Sequence, residues 1–247
     1  MLNLGNLAFT YDPFLVGLAR SIFPEDMYLR LCRTFPSEEF FISQPVLGNR
    51  MGFSPQNNRS DFRRFLKQNQ DWRDFYKWVK SSFERDFLSE LARHEIDLGY
   101  GTARASRRER ALDYLRNVKR GRFLRPRLTT ELIFSMLPAD GGYLLPHTDN
   151  TRKVGNVVLS MIGPEGWDPE VGGGTDINWP RDRRLSFNRN NRRLPFDQVE
   201  VLDTIPFRAN QAVVVIKTYN SWHSVAPMSG KDSAVMRKTV NINLIAN

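Results

Sequence analysis

The chain has 247 residues, 40% of them hydrophobic and 12% aromatic, which is enough to build a sizeable core and too apolar for a disordered chain. Its formal net charge of +9 points to acidic partners, namely a nucleic acid, an anionic small molecule or an acidic protein segment, with solubility alone as the bland alternative. A single cysteine, Cys32, excludes an intrachain disulfide, and no apolar run reaches the roughly 20 residues of a membrane-spanning helix. The first residues lack a basic, apolar leader pattern, so a cytoplasmic protein is expected.

Residues 1–20 stay open between a helix start and a segment packed on a sheet, through Leu15, Val16, Leu18 and Ala19. Pro24, Glu25 and Asp26 form a helix start, with two acids in the first turn. Met27, Leu29, Leu31, Cys32 and Phe35 continue that helix to Pro36, and Cys32 reads as a small core residue. Residues 37–60 read as a short strand followed by an irregular, Gly/Pro/Asn-rich loop. Over 61–96, Phe62, Phe65, Leu66, Trp72, Phe75, Tyr76, Val79, Phe83, Phe87 and Leu91 recur at helical spacing. Asp61 and Asp71 are plausible N-caps, which predicts two helices. Such an aromatic stripe reads as core. His94 follows it with no neighbour at ligand spacing and reads as a surface or capping residue.

Residues 103–127 are strongly basic, with Arg104, Arg107, Arg108, Arg110, Arg116, Lys119, Arg120, Arg122, Arg125 and Arg127. A solvated loop and helix face and an anion-attracting rim both fit this segment. From residue 128 the texture is that of strands. Thr129–Leu137, Tyr143–Asp149, Val154–Ile162, a strand entered from Gly172-Gly173-Gly174, residues 199–205, Gln211–Thr218 and Arg237–Ile245 are separated by turns. A long Arg/Asn-rich loop or hairpin spans 180–198. The fold class is therefore mainly β with N-terminal helices, a barrel or sandwich. The expected organisation is one domain, with 1–127 as a helical or irregular support and 128–247 as the β core.

His147 and Asp149 stand two apart, on one face of a predicted strand. The chain has only three histidines, and His223 follows a strongly apolar run. Two imidazoles and a carboxylate form the facial triad that binds non-haem Fe(II) and leaves positions open for other ligands. On the last predicted strand Arg237, Thr239, Asn241 and Asn243 share a polar face, opposite Val240, Ile242 and Leu244.

The His147-x-Asp149…His223 order, the Gly172-Gly173-Gly174-Thr175 segment and the following Arg237 resemble the 2-oxoglutarate/Fe(II)-dependent dioxygenase superfamily. The prolyl-hydroxylase-like branch is nearest, and the resemblance covers about residues 128–245. It implies a double-stranded β-helix (jelly-roll) core with helices outside one sheet, Fe(II) on His147, Asp149 and His223, and O₂ as co-reactant. It also implies 2-oxoglutarate chelating the metal while its distal carboxylate pairs with Arg237. Thr239 would donate a further hydrogen bond to that carboxylate, and Tyr143 is a weaker candidate for cosubstrate or substrate. Ascorbate would support turnover. Asp149 disfavours a halogenase, and Asn243 disfavours the nucleic-acid demethylase branch, which has Arg at that position.

The implied reaction is hydroxylation of an unactivated C–H bond in an amino-acid, peptidyl (prolyl included) or small-metabolite substrate. Arg183, Arg184, Arg192 and Arg193 are candidates for reading acidic groups on it. The alternative is a basic jelly-roll protein that binds or modifies nucleic acid.

Overall fold

The computed structural model describes residues 2–44, 48–102 and 127–246. The basic stretch read from 103 to 127 lies outside them except for Arg127. Strands β1 (Ala8–Thr10) and β2 (Val16–Arg20) precede helix α1 (Glu25–Arg33). Strands β3 (Ile42–Gln44) and β4 (Arg50–Phe53) follow, then helices α2 (Arg59–Gln68), α3 (Gln70–Trp78) and α4 (Glu84–Arg93). After β5 (Gly101–Thr102) come β6 (Arg127–Pro138), β7 (Leu144–His147), β8 (Lys153–Ser160) and β9 (Thr175–Pro180). The chain closes with β10 (Val199–Ile205), β11 (Gln211–Ile216), β12 (His223–Val225) and β13 (Met236–Ala246).

The larger sheet has the order β1-β2-β11-β8-β13-β6-β4-β3, with β5 parallel to β6, and the smaller one β10-β9-β12-β7. The remaining pairings are antiparallel. This is the jelly-roll arrangement expected from the strand-rich half, with five strands of the N-terminal half, β1 to β5, added to the larger sheet among the described residues.

The period of two along each strand gives the larger sheet two distinct faces. Leu132, Phe134, Met136, Val157, Leu159, Ala212, Val214, Val240, Ile242 and Leu244 face the helices and are buried there with Phe62, Phe65, Trp72, Phe75, Phe83 and Phe87. Phe134 is fully buried, within ring-packing distance of Phe35, Phe53, Phe62, Phe65 and Trp72. The aromatic stripe is therefore core, as its spacing predicts, and Cys32 is buried in the same cluster. The opposite face, with Ser135, Leu137, Asn156, Val158, Arg237, Thr239, Asn241 and Asn243, looks into the space between the sheets.

Several local expectations change. Of the two readings left open for residues 1–20, the sheet one holds: Val16 to Arg20 form β2, which pairs with β11 at its open edge. The loop expected after β3 contains a second strand, β4, where Met51 and Phe53 alternate with Arg50 and Gly52. The predicted pair of helices is three, with a π turn over Val79–Phe83 joining α3 to α4. Asn58, not Asp61, caps α2. Its side-chain oxygen accepts from the Asp61 N–H, while the Asp61 carboxylate accepts from the Asn58 amide, a reciprocal pair. Asp71 sits inside the first turn of α3 and pairs with Arg30 at 3.2 Å. His94 caps the C-terminus of α4, 3.6 Å from Glu90.

Candidate metal centre and its cavity

β7 and β12 are adjacent antiparallel strands, and their register sets His147 opposite His223. The strand expected to reach Asp149 stops at His147. Asp149 instead lies in the following turn at φ 66°, a left-handed conformation that short polar side chains tolerate better than most. That bend, rather than strand alternation, brings the carboxylate between the imidazoles. Asp149 Oδ1 is 3.6 Å from His147 Nε2, and Asp149 Oδ2 is 3.7 Å from His223 Nε2. One ligand atom from each of the three residues lies within 4.8 Å of the others.

Both histidines are aimed by the same local device. His147 Nδ1 is 2.9 Å from the Leu145 carbonyl, and His223 Nδ1 is 2.9 Å from the Ser221 carbonyl. A carbonyl only accepts, so each Nδ1 carries the proton and each Nε2 keeps its lone pair for a metal. Burial first, then the neighbouring His147, pushes the His223 pKa down to about 4, so its imidazole is neutral at pH 7. Burial alone would raise the Asp149 pKa. The Lys153 ammonium and the two histidines outweigh it and hold the carboxyl well below the usual range. Asp149 Oδ2 is buried without a hydrogen-bond donor. Two imidazoles that present Nε2 and an ionised carboxylate with an orphaned oxygen fit a divalent transition metal such as Fe(II).

Arg237 lies in the same cavity, on the polar face of β13. Its Nε–H donates to the Gly173 carbonyl, and its guanidinium lies 4.6 Å from the centre of the Phe207 ring. Gly173 has φ 80°, and a Cβ there would come within 3.0–3.2 Å of Trp167, Met228 and Arg237. The predicted Gly172-Gly173-Gly174 segment is thus a close backbone approach that fixes the arginine. Burial, then the charge of Arg50, pushes the Arg237 pKa down to about 10, against the pull of Asp176. It remains a cation at pH 7.

No known family profile and no curated protein matches the sequence. Solved structures do. A prolyl-4-hydroxylase from Pseudomonas putida is similar over 94% of this chain and 92% of its own, at 14% identity and a TM-score of 0.53. The chain has the fold of a prolyl-4-hydroxylase. Two other similar structures are a prolyl hydroxylase from Trichoplax adhaerens, solved with a hypoxia-inducible-factor peptide, and the non-haem α-ketoglutarate-dependent epimerase SnoN. The first is 10% identical over 93% of this chain and 83% of its own, at a TM-score of 0.49. SnoN is 11% identical over 93% and 76%, at a TM-score of 0.48.

Within this oxygenase-type fold, Thr239 lines the cavity two residues from Arg237. Tyr143 does not line it; its ring packs edge-on against Phe196 at 5.9 Å. Arg184 is exposed and bound through two nitrogens to Asp182. Arg183 and Arg192 are exposed as well, and Arg184 and Arg192 border a separate surface hollow with Phe187 and Trp222. Arg193 is exposed and does not line the cavity, although its charge acts on Arg50. Asn210 has a structural place. It turns the chain at φ 53° and bonds both the N–H and the carbonyl of Phe23. Trp222 packs, with its indole N–H on the Ser186 carbonyl.

Three functional side chains are absent from the sequence reading. Lys153 lines the cavity and pairs with Asp149 at 2.7 Å. Asp176 accepts from the Thr204 and Ser224 hydroxyls and the Ala226 N–H, which fastens the strand that carries His223. Arg50 enters the cavity from β4, and its Nε–H donates to Ser135 Oγ at 3.1 Å. The alternation Arg50-Met51-Gly52-Phe53 was the available signal for Arg50.

Proposed function

We propose that this chain is a 2-oxoglutarate- and Fe(II)-dependent dioxygenase that hydroxylates an unactivated C–H bond of an amino-acid, peptidyl (prolyl included) or small-metabolite substrate. The observation that carries this reading is the convergence of His147, Asp149 and His223 on one point in a cavity that also holds Arg237. When bound, iron and 2-oxoglutarate supply the oxidising chemistry, which uses O₂ and yields succinate and CO₂.

The protein's own part is to bind, orient and exclude water. His147 and His223 offer Nε2, and their backbone-bound Nδ1–H groups hold the rings in place. Asp149 offers its orphaned oxygen. Arg237 supplies a planar fork for the distal carboxylate of 2-oxoglutarate, and Thr239 adds a hydroxyl on the same face. Leu137, Val158, Val215 and Val225 give the cavity dry walls. Tyr143, on the evidence of its packing, supports the wall rather than touching cosubstrate.

The test is succinate formation from 2-oxoglutarate by purified protein with Fe(II), ascorbate and air, measured by mass spectrometry. Succinate should form slowly alone, faster with free or peptidyl amino acids, and not at all in His147→Ala. Wild-type protein that forms no succinate with any candidate would sink the reading.

A further inference from the structure

Arg50 and Arg237 approach one strand from opposite sides. Arg237 is the register partner of Leu137 on β6. Arg50 precedes Met51, whose partner on the other edge of β6 is Met136. Both side chains, with Leu137 between them, line the cavity. They differ in depth: Arg237 is 6% exposed, whereas Arg50 is half-buried and feels the charges of Asp149 and of the exposed Arg193. Among the described residues, Arg50 has Ser135 as a neutral hydrogen-bond partner and no carboxylate within ion-pair distance.

A charge balance isolates this residue. Lys153 neutralises Asp149 at 2.7 Å. A divalent metal and doubly charged 2-oxoglutarate offset each other. Asp176, buried behind the cavity, acts on Arg237. Among the described residues Arg50 is left as a cavity-lining cation without a counter-charge. A buried, unpaired charge is costly unless a ligand neutralises it.

We infer that Arg50 is the seat of a carboxylate on the primary substrate, so that the substrates are small organic acids, free or N-acylated amino acids among them. This rests on the oxygenase reading above and assigns the substrate end of the same cavity. The planar guanidinium, fixed through Nε by Ser135, leaves its two terminal nitrogens for a two-pronged bond to the acid.

The experiment loads the protein with Mn(II), which prevents turnover, and with saturating 2-oxoglutarate. Free and N-acetyl amino acids are then titrated against their matched primary amides, read by calorimetry and by thermal shift. Acids should bind at least about tenfold more tightly than amides, the worth of one charge-assisted hydrogen bond. Arg50→Met should remove that preference while keeping the 2-oxoglutarate response, and Arg50→Lys should restore part of it. The wild-type comparison of acid with amide stands even if Arg50→Met folds poorly. Amides that bind as well as acids, a panel in which no acid binds, or an Arg50→Met protein that loses 2-oxoglutarate would each overturn the assignment. Failure of 2-oxoglutarate itself to bind the metal-loaded wild type would take down the oxygenase reading and this one with it. Cosubstrate binding without acid preference takes down this one alone.

Discussion

His147 and His223 are register partners on neighbouring antiparallel strands, with ring centroids 4.4 Å apart and Asp149 reaching both. Removing any one of the three deletes a ligand. His147→Ala, Asp149→Ala and His223→Ala should each weaken Mn(II) or anaerobic Fe(II) binding beyond the roughly 10–100-fold that loss of a supporting contact costs. Equilibrium dialysis checks this, and a variant with wild-type affinity would remove that residue from the centre.

Arg237 carries the cosubstrate expectation. Its replacement by Met keeps the length of the side chain and removes the fork. The loss should be about 3 kcal/mol, roughly 100-fold in the 2-oxoglutarate dissociation constant. Arg237→Lys should recover only part, because an ammonium cannot bond both oxygens in one plane. Calorimetry on Mn(II)-loaded protein measures both.

The metal-free protein should lose stability as pH falls. His223 has a folded-state pKa of about 4 against 6.5 for the free side chain. Between those values the unfolded chain takes up a proton that the folded chain does not. The stability contributed by neutral His223 is thus complete above pH 6.5 and shrinks as pH drops toward 4, by up to about 3 kcal/mol. Asp149, held below its usual 3.8, acts only at still lower pH. Urea unfolding at pH 7, 6 and 5 should show the decline, and His223→Leu should flatten it.

Phe134 joins the sheet to the helices. Truncation to Ala should cost about 3–5 kcal/mol, because five neighbouring rings cannot all collapse into the space. A urea midpoint unchanged from wild type would mean that the layer is less tightly packed than its geometry requires.

Cys32 should be unreactive in the folded protein. Burial pushes its pKa up from 9.0 to about 11, which lowers the thiolate fraction at pH 8 about 100-fold relative to an unperturbed thiol. Iodoacetamide labelling followed by mass spectrometry should find Cys32 modified only after denaturation.

The strand half of the fold and the three candidate ligands were legible because their signals are local. The apolar run Ala212–Ile216, the His-x-Asp spacing and the polar face Arg237–Thr239–Asn241–Asn243 can each be read within a few residues. The N-terminal strands were not. β2 and β4 are short, and each is a strand only because β11 and β6 offer a partner far along the chain. Lys153 was missed for the same reason: nothing near it in sequence reveals that the fold brings it to the cavity, whereas Arg50 had only the short alternation Arg50-Met51-Gly52-Phe53 to announce it. Asp149 was found by an argument about strand alternation that its positive φ replaces.

The anchoring of each histidine to a carbonyl two residues earlier in its own chain makes the aim of the metal ligands a short-range property. No imidazole depends on a side chain from the substrate wall for its orientation. Mutation could therefore redraw the β4 surface, and with it the ligand that the cavity accepts, while the aim of the two imidazoles stays intact. The architecture separates what evolution can vary from what it must keep.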